Sequence, residues 1–95
     1  MKTKLTLDQQ SADFIRRQPP EPRRMLREAL HEIAEGKTFP VPLTDDLEGF
    51  YKVRVSGYRM ILRAEASETG PAFDVVFAER RKVVYEIFKQ MIGLE

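Results

Sequence analysis

The sequence predicts an α+β domain: a small, mainly antiparallel sheet of about four strands packed against an N-terminal helical hairpin, closed by a short C-terminal helix. Three observations carry that expectation. Phe50–Val55 and Tyr58–Arg63 are two strand-like runs separated only by Ser56-Gly57, the signature of a tight β-hairpin. Met25, Leu26, Ala29, Leu30 and Ile33 recur at spacings of three and four, which lays one apolar stripe along a helix. Gln18-Pro19-Pro20 breaks the chain just before that stripe, because proline disfavours helix in the residue preceding it. A chain of 95 residues, 42% apolar and 33% charged, then makes one domain, residues 1–95, with two layers around a modest core.

The elements follow in order. Lys4-Leu5-Thr6-Leu7 reads as a short first strand, and Asp8 as the N-cap of a helix reaching about Arg17, with Ala12, Phe14 and Ile15 inward. A second helix starts near Glu21-Pro22, where proline is tolerated in the first turn, and ends at Gly36. Lys37–Gly49 shows no periodicity, and Pro40 and Pro42 argue against regular structure there, so a long loop is expected. Beyond the hairpin, Gly70-Pro71 punctuates a second loop, Phe73–Phe77 reads as a third strong strand, and a last helix covers roughly Val83–Met91. The final Ile92-Gly93-Leu94-Glu95 is expected to fray.

Composition excludes several chemistries. With no Cys and one His, the chain has no disulfide, thiol nucleophile or zinc finger, and a reducing cytoplasm is its expected location. The longest apolar run, Val75–Ala78, falls far short of the roughly 20 residues of a membrane span. The opening stretch has basic residues but no apolar core, so no secretory signal is expected. The net charge of +1 does not by itself announce a nucleic-acid binder. Residues 1–48 carry 8 basic and 9 acidic groups, and residues 49–95 carry 8 and 6, so the excess of cations lies in the second half.

The hairpin sorts those cations. A two-residue turn places Val55 opposite Tyr58 and Arg54 opposite Arg59, then Val53 opposite Met60, Lys52 opposite Ile61 and Tyr51 opposite Leu62. Side chains alternate across a strand and cross-strand partners share a face. One face therefore holds Tyr51, Val53, Val55, Tyr58, Met60 and Leu62, the core side. The other holds Lys52, Arg54, Arg59, Ile61 and Arg63: four cations and no acid on two paired strands. Asp45, Asp46 and Glu48 lie just upstream as possible neutralisers. An ordinary solvated outer face is the competing reading, although Arg54 directly across from Arg59 is mildly destabilising.

Leu47-Glu48-Gly49-Phe50-Tyr51-Lys52-Val53-Arg54-Val55 followed by Gly57-Tyr58-Arg59 resembles the RelE/ParE superfamily of toxins. So does Glu79-Arg80-Arg81-Lys82-Val83-Val84-Tyr85, and the order of elements matches over nearly the whole chain. In the RelE branch, the resemblance implies the toxin of a type II toxin–antitoxin system. Such a toxin is a ribosome-dependent, metal-free messenger-RNA endoribonuclease in which the ribose 2′-hydroxyl attacks the adjacent phosphate to leave a cyclic phosphate. It implies a cognate antitoxin, the ribosome and mRNA as partners, no cofactor and no membrane. A toxin–antitoxin complex that is hetero-oligomeric and binds DNA through the antitoxin also belongs to that picture. The reaction needs a base, cations for the crowded phosphate and an acid for the leaving oxygen.

The roles carried over are these. Lys52 and Arg54 match the paired basic strand positions, and Arg59 the phosphate-binding arginine. Arg80 or Arg81 matches the general acid, and Tyr85 the tyrosine that orients substrate, with packing beside Phe88 as its competing role. Arg63 and Arg81 extend the phosphate-binding set. The pattern departs at Arg54, where the best-known family member has lysine. Arginine stays protonated, so Lys52 is the remaining base, provided its neighbouring cations lower its pKa. His31, on the second helix, is expected to be an ordinary surface or half-buried residue. The alternatives are a ParE-like poison of DNA gyrase without nuclease activity and an inactive member that only binds its antitoxin.

Overall fold

Asp8 turns the first strand into the first helix. Its carboxylate accepts from the Ser11 N–H at 2.8 Å, capping α1 (Gln9–Arg16) directly after β1 (Lys4–Leu7). This computed structural model describes residues 2–93. A proline turn leads to α2 (Pro20–Ala34), which has proline in its first turn as expected. Gly36 closes it at φ 78°, where a side chain would be strained. Gly36 N–H donates to Ile33 O at 3.0 Å and Lys37 N–H to Glu32 O at 2.9 Å, a Schellman pair that satisfies the last carbonyls. On the outer face of α2, Arg24 bridges Glu21 and Glu28. Its hydrogen bond and charge hold the Glu21 carboxyl below the usual carboxylate range.

The sheet has five strands in the order β1-β5-β4-β3-β2, with β1 parallel to β5 and every other pair antiparallel. β3 (Phe50–Val55) and β4 (Tyr58–Ala64) form the hairpin, and β5 (Ala72–Arg80) runs beside β4. Their register has Arg54 opposite Arg59 and Lys52 opposite Ile61, as the sequence predicts. The fifth strand is β2 (Val41–Pro42), inside the segment expected to be a loop. Two residues at the sheet edge suffice to pair with Tyr51 and Lys52, and an edge is where proline's missing N–H costs least. A single 3₁₀ turn, Asp45–Leu47, follows it. α3 (Val84–Met91) closes the fold; Gly93 N–H donates to Gln90 O beyond it, while Leu94 and Glu95, part of the expected frayed end, lie outside the described residues.

Both faces of the sheet are covered. α1 and α2 pack on the face carrying Val55, Met60, Leu62, Val75 and Ala78, with Phe14, Ile15 and Leu26 as their contribution. The opposite face is not merely solvated. Ile61, fully buried, joins Phe77, Leu47, Val84 and Phe88 in a second apolar cluster under α3. A bulge permits both clusters: Ile61 pairs with Phe77 but Leu62 with Val75, so Val76 is the extra residue and joins the α3 side.

β5 outruns β1, which pairs with it only as far as Val75. Gln10 fills the gap. Its side-chain amide donates to Ala78 O at 3.0 Å and accepts from Ala78 N–H at 3.0 Å, replacing one residue of a missing strand. Gln10→Ala strips both partners from a fully buried residue. It is expected to cost about 2 kcal/mol, roughly 10 °C in a thermal melt of a domain this size. An unchanged midpoint would mean that water replaces the amide.

Candidate functional site

The tip of the hairpin organises the basic residues. Ser56 takes the left-handed conformation at φ 53°, while Gly57 does not, so the strained turn position is the serine. Arg59 holds that turn from within. Its Nη1 donates to Ser56 O at 2.9 Å and to Tyr58 O at 2.7 Å, and the residue is only 9% exposed. The end of β5 docks on the same tip, with Arg81 N–H donating to Gly57 O at 2.9 Å. A turn then returns the chain, Val83 N–H to Arg80 O, and starts α3. The hairpin tip and the Arg80-Arg81-Lys82 run therefore share one rim of the sheet.

The third strand supplies acids that the two-strand hairpin lacks. Glu79 stands directly across from Arg59, and Asp74 across from Arg63. Arg63 lies 3.2 Å from Glu65 and 3.7 Å from Asp74, so two carboxylates occupy it. Asp46, expected near the basic face, reaches Lys89 instead, at 3.8 Å. Among the described residues, Lys52, Arg54, Arg80, Arg81 and Lys82 make no salt bridge. Their charge is available to a ligand.

The expected residues are thus divided by position. Lys52 is half-buried and Arg54 exposed, two residues apart on the α3 face of β3. Register pairs Arg80 with Tyr58, which assigns Arg80 to the helical-hairpin side at the very end of β5. Arg81 follows the strand and is the arginine whose backbone is tied to the hairpin tip. Tyr85 is half-buried in the first turn of α3 against the Ile61–Phe88 cluster, so part of its ring serves as core. His31 is exposed on α2, away from these groups. Such an arrangement can bind and polarise a phosphodiester through several unpaired cations. Among the described residues no cluster of three or more His, Asp or Glu side chains is placed to hold a metal ion.

Glu79 and the exposed pair Phe39 and Val41 are the neighbours that sequence reasoning missed. Register between β4 and β5 would have exposed Glu79, but the loop joining them leaves register undetermined. Phe39 sat in the segment without periodicity.

Comparison with solved structures identifies the class of fold. The chain matches an arginine-substituted variant of the Escherichia coli toxin RelE in the free state at 19% identity and TM-score 0.68, covering 98% of this chain and 97% of that one. It matches the RelBE2 toxin–antitoxin complex of Mycobacterium tuberculosis at 17% identity and TM-score 0.68, covering 85% and 93%. It also matches the YoeB/ParE toxin of Agrobacterium tumefaciens at 19% identity and TM-score 0.62, covering 82% and 98%. No family model and no curated protein matches the sequence. At these identities the shared feature is the fold: the chain has the RelE/ParE toxin fold.

Proposed function

We propose that this chain is the toxin of a type II toxin–antitoxin pair and that it cuts messenger RNA on the ribosome without a metal ion. The observation that carries this role is a set of cations without salt bridges among the described residues, Lys52 and Arg54 on β3 and Arg81 and Lys82 beside the hairpin tip, in a RelE/ParE fold. In the reaction, the 2′-hydroxyl proton leaves as its oxygen attacks phosphorus, and the 5′-oxygen departs with a proton from an acid. The proton passes to Lys52 only when its amine is uncharged, since the arginines of the set stay protonated. Arg54 stabilises the charge on the phosphate oxygens, and Arg81 stabilises the departing 5′-oxygen, which takes its proton from water because the guanidinium does not give one up. Tyr85 borders the site through its exposed part. Arg59 acts beneath them, fixing the turn that spaces Arg54 from Arg81.

The M. tuberculosis relative was solved as a toxin–antitoxin complex, which supports an antitoxin as partner. The test is a reconstituted translation reaction with the purified chain. Cut mRNA bearing 2′,3′-cyclic phosphate ends, appearing only when ribosomes are present, is expected. Intact mRNA together with blocked DNA supercoiling by gyrase would replace this role with the ParE-like one.

A further inference from the structure

β2 pairs with β3 only at Tyr51 and Lys52, and among the described residues the edge of β3 beyond them has no neighbouring strand. The segment leaving α2 passes this edge and leaves a groove of about 220 Å³ there. Ala29 and Ile33 of α2, Val53 of β3, and Phe39 and Val41 supply its apolar lining. Those two are among the most exposed large apolar residues of the described chain, at 57% and 51%. Lys52 and Arg54, the unpaired cations of the candidate site, line the same groove. Exposed phenylalanine costs solubility and contributes nothing to either core cluster.

We infer, on the footing of the RNA-cutting role, that this groove is a base-binding subsite in which Phe39 stacks on one nucleobase of single-stranded RNA while Lys52 and Arg54 hold the adjoining phosphate. The occupant follows from charge and shape. An apolar wall with an aromatic face beside two unpaired cations matches a flat base joined to an anion, the arrangement by which single strands are held. The volume is below the usual range of sites that enclose a drug-sized ligand, so it receives one ring system rather than a folded ligand. Glu32, the one acid of the groove, stands on the α2 wall. It keeps phosphate to the β3 side, where the cations are.

The measurement is binding of fluorescent RNA hexamers to the purified protein, titrated over a range of salt. Phe39→Ala and Phe39→Leu are both expected to weaken binding roughly fivefold to a hundredfold, with the salt dependence unchanged, and Phe39→Trp to retain it. Lys52→Ala or Arg54→Ala should instead flatten the salt dependence by about one counterion each. A hexamer abasic at every position should bind Phe39→Ala and the unaltered chain equally. If the unaltered protein binds the hexamers and Phe39→Ala and Phe39→Leu match it, the subsite is refuted while the RNA-cutting role stands. If the unaltered protein binds no RNA and cuts none on ribosomes, the role itself fails and the subsite with it. A variant that keeps RNA affinity but loses an acidic protein partner would assign the groove to strand addition at the β3 edge and overturn the base-binding assignment.

Discussion

Lys52→Ala, Arg54→Ala is expected to lower mRNA cleavage by at least about a hundredfold without lowering the thermal midpoint, because removing one preorganised charge from a transition state typically costs that much. Stability should hold for a physical reason. Neither side chain is ion-paired among the described residues, and neither is buried. Arg54 also faces Arg59 across the hairpin, so deleting it relieves a like-charge pair. Arg59→Ala should behave in the opposite way. That side chain bonds Ser56 O and Tyr58 O from a nearly buried position, and its loss removes both bonds from beneath a strained turn. A loss of about 2 kcal/mol is expected, from hydrogen bonds made by a charged donor. Single-turnover cleavage and thermal melts on the two variants separate the roles. An Arg59 variant with normal melting and no activity would return Arg59 to the substrate.

Local signals explain what the sequence made legible. The turn at Ser56-Gly57 is two residues long, so it alone determines which side chains share a face, and the β3–β4 register is the expected one. Asp8, Gly36 and the proline break are equally local, and each sits where expected. Non-local matters were hidden. β4 and β5 are joined by a loop of several residues, which left the opposition of Glu79 to Arg59 and of Asp74 to Arg63 invisible. Arg63 is expected as a phosphate ligand from the hairpin alone, and the fold adds Glu65 and Asp74 beside it. Arg80 and Arg81 differ by one residue, and whether the strand ends before or after Arg80 decides which side of the sheet each serves. β2 escaped notice because proline argues against strands in general, whereas an edge position escapes the penalty. Ile61 was the visible clue to the second core: an isoleucine among cations on a supposedly solvated face needs a cover, and α3 supplies it.

That cover can be tested by weakening it. Phe88 is 1% exposed and sits between two rings, edge-on to Phe50 at 5.0 Å and tilted against Phe77 at 5.9 Å. Phe88→Ala is expected to cost about 3–5 kcal/mol from lost burial and the cavity left behind. A domain of this size has only about 5–15 kcal/mol of total stability, so that loss is a large share. Its location decides how the loss appears. α3 has eight residues and no side-chain cap at its N-terminus, and it touches the sheet chiefly through Val84 and Phe88. Short helices do not persist alone in water. The helix should therefore come off before the sheet melts, exposing Ile61 and Phe77. Amide exchange should accelerate across 84–91 while the β3–β5 amides keep their protection, and an apolar dye should bind. Cleavage should also fall, because Tyr85 rides on the same helix. Loss of protection spread evenly over both sheet and helix would mean that α3 and the hairpin core melt as one unit. A stability change below about 1 kcal/mol would mean that α3 does not seal this face at all, since truncating a buried phenylalanine costs more than that.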